Sequence, residues 1–89
     1  MYDFEWDEAK RILNLDKHNI DFIDAIHIFT DEDRIEADSI KHGEVRYQTI
    51  GTVNNIVFFV VYTIRHHKIR IISARRASQD ERETYYSAF

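Results

Sequence analysis

Arginines follow an apolar stretch near the end of the chain, in the segment IRIISARRAS at residues 69–78. Arginine stays protonated and carries a planar fork of N–H donors, so Arg70, Arg75 and Arg76 are suited to bidentate contact with phosphate. The alternative is that their stems cover apolar surface and their charges pair with acidic residues. Strict alternation in a strand would put Arg70 and Arg76 on one face and Arg75 on the other, which leaves open which face borders a groove.

A second group of polar residues lies near the N-terminus and could supply proton transfer. An imidazole can take up or release a proton near neutral pH, which makes His18 a candidate for that role. Lys17 is its neighbour, and at about 100° per residue Lys10 and Asn14 fall on the same side of a helix as Lys17. The alternatives are that His18 is a helix C-terminal residue favoured by the helix dipole and that the polar stripe is simply solvated.

Histidines elsewhere in the chain do not form a metal motif. His42, His66 and His67 include no pair at the i, i+4 spacing, and no carboxylate lies near them at ligand spacing. No glycine-rich phosphate loop is present either. We therefore interpret these histidines as loop residues and expect neither a metal nor a cofactor.

Composition predicts one globular domain over residues 1–89. The chain is 44% hydrophobic and 31% charged, which is typical of a folded protein and argues against disorder. Since it has no cysteine, neither a disulfide framework nor a thiolate metal site can form. The start MYDFEWDEAK lacks the pattern of a signal peptide, and the longest apolar run, IVFFVVYTI, is too short to cross a bilayer. We expect a cytoplasmic protein without membrane contact.

Charge is distributed unevenly along the chain. The net charge of −4 argues against a general nucleic-acid binder, because phosphate contacts call for a surplus of Lys and Arg. Residues 65–76 nevertheless hold five Lys or Arg, two His and no acid. The sequence thus predicts a local basic patch on an acidic protein.

The N-terminal half predicts a helical hairpin. The first helix runs from about Asp7 to Lys17, with Asp7 as N-cap and Asn19 in the left-handed conformation that ends helices. In DFIDAIHIFTDED a second short helix begins after Asp21. The side of the first helix opposite its polar stripe is apolar and consists of Ala9, Ile12 and Leu13. The predicted core residues of the second helix are Phe22, Ile26 and Phe29.

The remainder predicts four strands and a C-terminal helix. The strands are RIEADSI, EVRYQTIGTV, NIVFFVVYTIR and IRIISARRAS, and the short connections between them favour an antiparallel meander. In NIVFFVVYTIR the residues that would point to either face are mostly apolar, as expected for a central strand covered on both faces. Arg46 alternates with Val45 and Tyr47 and so points to the other face. Ser78 and Glu81 form a capping box for the last helix. The fold class is α+β, arranged in two layers.

Several motifs occur in a fixed order: FEWDEAK, NLDKHNIDF, GEVRYQTIG, VVYT and IRIISARRAS, followed by Glu81, Arg82 and Tyr85. Together they resemble the BrnT family of ribonuclease toxins from bacterial type II toxin–antitoxin operons. The resemblance runs from about Phe4 to Tyr85 and is most specific in FEWDxxK and IRIISARRA. The chain departs from the family at Asn19, where glycine is frequent, and in its short tail after Tyr85.

The resemblance implies a RelE-like fold and RNA cleavage that needs neither a metal nor another cofactor. It also implies a partner, a BrnA-like antitoxin with a ribbon-helix-helix DNA-binding end. In such families the complex, often a heterotetramer with two copies of each protein, represses its own operon. Operator DNA would then be contacted only through the antitoxin.

Metal-independent cleavage of RNA proceeds by attack of the 2′-OH on the adjacent phosphate. The phosphorane that forms needs cations around it, and the proton transfers need a base and an acid. Tyr85 is the weakest candidate, because a tyrosine at such a position is more often a core or interface residue. The catalytic candidates are His18, Lys17, Arg46, Arg70, Arg75 and Tyr85, and the RNA-binding candidates are Lys10, Asn14 and Arg76.

A rival interpretation is a non-catalytic module whose basic face docks a partner protein in an operon-regulating complex. RNA degradation in excess EDTA would distinguish the ribonuclease from this module. If the cationic groove exists, we expect the antitoxin to cover it and the complex to survive moderate salt, because buried charge pairs are screened less than exposed ones.

Overall fold

The computed structural model describes residues 2–88. In chain order the elements are β1 (Phe4–Trp6), α1 (Glu8–His18), α2 (Phe22–Ala25), a 3-10 helix (Ile26–Thr30), β2 (Ile35–Lys41), β3 (Glu44–Val53), β4 (Ile56–Arg65), β5 (Lys68–Arg76) and α3 (Gln79–Ser87). The strands form one sheet in the order β1-β5-β4-β3-β2. The predicted α+β class is confirmed. Within residues 2–88, no helix has the length and apolar character needed to span a membrane.

The sheet has five strands, one more than predicted. Strands β2 to β5 form the expected antiparallel meander with β4 at the centre, and β2 is an edge strand as predicted. The additional strand β1 pairs in parallel with β5, with Phe4 opposite Ile69 and Trp6 opposite Ile71. It escapes prediction because three residues are too few to display an alternating pattern.

Helix α1 has the predicted ends. The Asp7 side chain accepts a hydrogen bond from the Lys10 N–H at 3.1 Å, and Asn19 takes the left-handed conformation with φ of 57°. The orientation of the helix is unexpected, because its polar stripe contributes the buried residue Asn14, which is only 7% exposed. The apolar side, with Ile12 and Leu13, faces outward.

The second helix of the predicted hairpin is shorter than expected. After the Asp21 cap, which accepts a hydrogen bond from the Ile23 N–H at 3.0 Å, α2 lasts one turn and continues as a 3-10 helix. Phe22 and Phe29 are buried as predicted, whereas Ile26 is only half-buried. This segment therefore packs on the sheet as a compact double turn, and the hairpin prediction is wrong in that detail.

The two faces of the sheet are covered differently. Alternate residues of β4 and β5, including Val60, Tyr62 and Ile71, form the main core with α2 and the 3-10 helix, and we call this the helical face. On the other face, called here the open face, α3 packs one corner through Tyr85 against Val57. The predicted capping box of α3 is present. Because α3 lies on the second face, the arrangement differs from the expected two layers.

Candidate functional site

Strand β5 contains a bulge that determines where its arginines point. Tyr62 of β4 pairs with Ile71, but the preceding residue Val61 pairs with Ser73, so Ile72 is an extra residue without its own partner. An extra residue in one strand interrupts the alternation of side chains between the two faces. The sequence-based assignment of faces therefore fails beyond Ile72.

As a consequence, Arg70 and Arg75 share the open face. Arg70 pairs with Thr63 and Arg75 with Phe59, two positions of β4 that are four residues apart and hence on one face of the sheet. The expectation that the two arginines point to opposite faces is wrong. Arg76 pairs with Phe58 and belongs to the helical face, at the exposed end of the strand.

A cavity of about 230 Å³ lies between α1 and β5. We call it the α1 pocket, and its lining residues are Lys10, Leu13, Asn14, Lys17, His18, Ile72 and Ser73. The structure thus gathers four of the candidates, Lys10, Asn14, Lys17 and His18, at one place. Ser73 also lies on the open face between Arg70 and Arg75, because it pairs with Val61. The pocket therefore opens beside the two arginines.

Asn14 holds α1 against the edge of β5. Its amide nitrogen donates to the carbonyl oxygens of Ala74 at 2.7 Å and of Ile20 at 3.0 Å, and its amide oxygen accepts from the Ala74 N–H at 3.1 Å. β1 pairs only with Ile69–Ile71, so beyond that point Asn14 satisfies backbone groups that a further strand would otherwise pair. Its amide is fully engaged with backbone groups, which favours a structural role, and the predicted role in RNA binding stays a prediction.

The three arginines predicted as catalytic residues each lie near a carboxylate, and they are Arg46, Arg70 and Arg75. Arg70 pairs with Glu5 at 2.7 Å, and Arg75 makes a two-pronged contact with Glu81 at 2.7 and 2.9 Å. The hydrogen bonds to Arg75 lower the pKa of the Glu81 carboxyl. The guanidinium of Arg75 also lies over the ring of Phe59, 4.2 Å from its centre. Arg75 is therefore the most firmly held of the three.

Arg46 is the least satisfied of these arginines. Its nearest carboxylate, Glu44, is 4.0 Å away, at the limit of an ion pair. The Nε atom of Arg46 is buried and has no hydrogen-bond partner among residues 2–88. Because Tyr47 lies on the helical face in contact with the core, the preceding Arg46 lies on the open face, as predicted.

Tyr85 lies away from the α1 pocket. It is buried in the small core under α3, where its hydroxyl donates to Asp31 Oδ2 at 2.5 Å. The same carboxylate oxygen accepts from the Thr52 N–H at 2.8 Å and from the Thr52 hydroxyl at 3.0 Å. Burial alone would raise the pKa of Asp31, but the hydrogen bonds from Tyr85 and Thr52 outweigh it and lower the pKa. The geometry favours the alternative of a core tyrosine, and the predicted catalytic role stays a prediction.

The three histidines interpreted as loop residues do lie in turns. His42, His66 and His67 have positive φ angles of 52°, 51° and 65°, and they occupy the connections between strands. Across the described residues, no group of three or more His, Cys, Asp or Glu is arranged to hold a metal ion.

Two features of the site are missing from the sequence interpretation. Ile72 and Ser73 line the pocket at the bulge of β5. No residue pattern in IRIISARRAS predicts that bulge. Glu5 meets Arg70 across 65 positions of sequence, and only the parallel pairing of β1 with β5 creates that contact.

Comparison with known proteins gives a family for the chain. A family model described as the ribonuclease toxin BrnT of type II toxin–antitoxin systems matches residues 6–81. No curated protein matches the sequence. The matched span contains all of α1 and β5, and hence every residue that lines the α1 pocket.

Proposed function

Because this chain belongs to the BrnT family of ribonuclease toxins of type II toxin–antitoxin systems, we propose that it cleaves RNA internally, without a metal, in the α1 pocket. The family implies an RNA target and an antitoxin partner. The observation that carries the proposal is the convergence of Lys10, Lys17 and His18 around Ser73, between Arg70 and Arg75. Cations and a titratable imidazole are what cleavage by the 2′-OH requires.

In the proposed reaction, His18 takes the proton of the ribose 2′-OH. The 2′-oxygen attacks the adjacent phosphorus, and the phosphorane that forms is stabilised by the ammonium groups of Lys10 and Lys17. The bond to the 5′-oxygen then breaks, and one of these ammonium groups supplies the proton to the leaving oxygen. The products are a 2′,3′-cyclic phosphate and a free 5′-OH, so no water or metal-bound hydroxide enters this step.

Arg70 and Arg75 are proposed to hold the RNA strand along the open face. Thr63 and Phe59, their partners in β4, are four residues apart, which corresponds to about 13 Å of backbone. At that separation the two guanidinium groups are suited to different phosphates of one strand. Each arginine carries five N–H donors, so a carboxylate partner leaves donors available for phosphate. Arg46, which lies on the same face and whose nearest carboxylate is 4.0 Å away, is a third proposed contact through its terminal guanidinium nitrogens.

A second candidate function is the non-catalytic binding module. The observation in its favour is that Arg70 and Arg75 already have carboxylate partners, as structural arginines do. Purified protein incubated with RNA in excess EDTA distinguishes the two functions. We expect cleavage into fragments that end in a cyclic phosphate, and His18→Ala protein purified in parallel excludes a contaminating nuclease. RNA that stays intact over a range of pH would favour the binding module.

For the partner, we propose a ribbon-helix-helix antitoxin encoded beside this gene. The toxin and antitoxin would form a cytoplasmic heterotetramer with two copies of each, and the antitoxin would contact the operator DNA. Co-expression with the adjacent gene, followed by measurement of the mass of the purified complex, tests both the partner and the stoichiometry. A stable complex with a single copy of each protein would contradict the heterotetramer.

A further inference from the structure

The outward side of α1 is apolar, which is unusual for a helix packed on a sheet. Ile12 is 55% exposed and Leu13 is 67% exposed, whereas the polar Asn14 is buried against β5. Isolated apolar residues are common on surfaces, but an amphipathic helix normally turns its apolar side inward. A contiguous apolar surface with polar residues around it is typical of an interaction site.

This surface is continuous with the α1 pocket. Leu13 lines the pocket together with Lys10 and Lys17. Both lysines are exposed, and neither has an ion pair with any of residues 2–88. Asp16 contributes one negative charge to the same side of the helix. The surface thus combines apolar side chains at Ile12 and Leu13, the carboxylate of Asp16 between them, and two available ammonium groups at the border with the pocket.

We propose that the antitoxin docks on this surface, the α1 outer face, formed by Ala9, Lys10, Ile12, Leu13, Asp16 and Lys17. The docking segment is amphipathic, with apolar side chains placed on Ile12 and Leu13 and with carboxylates that reach Lys10 and Lys17. A segment seated there covers the mouth of the α1 pocket and removes its lysines from RNA. Neutralisation is then direct obstruction of the site, an inference that rests on the proposed function.

A second copy of this chain is a less suitable occupant. Two α1 outer faces packed together would close the α1 pockets of both copies, and the ribonuclease would then be inactive without its antitoxin. Each copy would bring Lys10 and Lys17 to the contact with only Asp16 to oppose them, so a second copy complements the lysines only in part. An acidic antitoxin segment, which brings no lysines of its own, complements both Lys10 and Lys17.

The helical face offers a matched control. Ile64 is 54% exposed, nearly the same as Ile12, and lines a different cavity of about 350 Å³ beside Glu36. Arg34 lines the same cavity 3.9 Å from Glu36, so this surface carries charges of both signs and lacks, among residues 2–88, the pair of unpaired lysines found beside Leu13. Neither Ile12 nor Ile64 lines the α1 pocket. Substitution at either position therefore leaves the proposed catalytic groups in place.

The test compares Ile12→Glu with Ile64→Glu, using the protein encoded by the adjacent antitoxin gene as the probe. Affinity is measured by calorimetry, and RNA cleavage by each toxin variant is measured with and without the antitoxin. We expect Ile12→Glu to weaken binding of the antitoxin by at least about tenfold, as for an apolar anchor at an interface. This variant should also continue to cleave RNA at an antitoxin concentration that fully inhibits the wild-type toxin. Ile64→Glu should bind and be silenced as the wild type is.

Several results would overturn the proposal. The first is that Ile12→Glu binds the antitoxin with the same affinity as the wild type. The second is that Ile64→Glu loses affinity for the antitoxin. The third is that the wild-type toxin forms a dimer and the Ile12→Glu substitution dissociates it. A photo-crosslinking residue at position 12 provides a readout that does not depend on stability, and it should capture the antitoxin whereas the same residue at position 64 should not. The proposed ribonuclease activity is judged separately, from cleavage by the wild-type toxin alone.

Discussion

Arg70 and Arg75 lie on the same face of the sheet, although they are five positions apart along β5, an offset that strict alternation would place on opposite faces. The bulge at Ile72 accounts for this, because it adds one residue between the two arginines relative to β4. The α1 pocket opens between them at Ser73. This relationship puts on one face of the sheet two arginines that strict alternation would have divided between two faces.

For Arg70, we expect a role in RNA binding that is separable from stability. Arg70→Ala should weaken RNA binding, with KM for RNA raised roughly tenfold and kcat little changed, because the proposed contact holds the strand and is not made to the phosphorane. It should change the free energy of unfolding by less than about 1 kcal/mol. Glu5→Gln removes the same ion pair but keeps the arginine, so it should retain activity. Cleavage rates and melting temperatures of both variants check this. Equal activity loss in both would show that the ion pair itself is what matters.

Arg75 should affect stability as well as activity. Its contacts with Glu81 and Phe59 link β5 to α3, so Arg75→Ala should lower the free energy of unfolding by about 1 kcal/mol after allowance for solvent screening, or the melting temperature by about 5 °C. Arg75→Lys restores charge but not the two-pronged geometry, and its activity should fall between alanine and wild type. Thermal unfolding and cleavage measured together test this. If Glu81→Gln loses as much activity as Arg75→Ala, the role of Arg75 is structural.

His18 is the proposed proton-transfer group. His18→Ala should reduce RNA cleavage by about a hundredfold or more, the contribution typical of general acid–base catalysis. His27→Ala is the matched control, because His27 is exposed and lines a different cavity. The measurement is the initial cleavage rate at several pH values. Unchanged cleavage by His18→Ala would exclude the proposed mechanism, and loss of activity in both variants would indicate a general effect of removing histidine.

Asn14 should behave as a structural residue. Asn14→Leu leaves the N–H and C=O of Ala74 without their partner, so we expect a loss of about 2–4 kcal/mol of unfolding free energy and a parallel loss of cleavage. Lys10→Ala should instead lose cleavage with little change in stability. Denaturant unfolding measured beside RNA cleavage separates the two cases. If the Asn14→Leu variant is as stable as the wild type but inactive, the result would support the predicted role of Asn14 in RNA binding.

The Tyr85–Asp31 hydrogen bond should make stability depend on pH. Because the pKa of Asp31 is lowered in the folded protein, its contribution is present above about pH 4, the range of an unfolded aspartate, and is lost as the pH falls through the folded value. Tyr85→Phe should cost about 2 kcal/mol at neutral pH, and its difference from wild type should shrink below pH 4. Tyr86→Phe is the exposed control. Thermal unfolding between about pH 2.5 and 7 tests this, and a constant difference would contradict it.

Short-range features of the fold follow from the sequence alone. Caps such as Asp7, the left-handed Asn19 and the Ser78–Glu81 box depend on residues within one turn of each other, so the sequence specifies where the helices begin and end. The meander follows from apolar runs joined by tight connections. The shared side of Lys10 and Lys17 likewise follows from helical spacing, and the two residues do line one pocket.

The tertiary structure decided which side of α1 faces inward, which face Arg75 occupies, and which carboxylates pair with the arginines. Hydrophobicity alone would have turned Ile12 toward the core. The helix lies instead along an edge of β5 where backbone groups need polar partners, so the amide of Asn14 turns inward and the apolar side outward. Likewise the bulge at Ile72 and the contact of Glu5 with Arg70 arise from pairing between strands, a property that residues close in sequence do not determine.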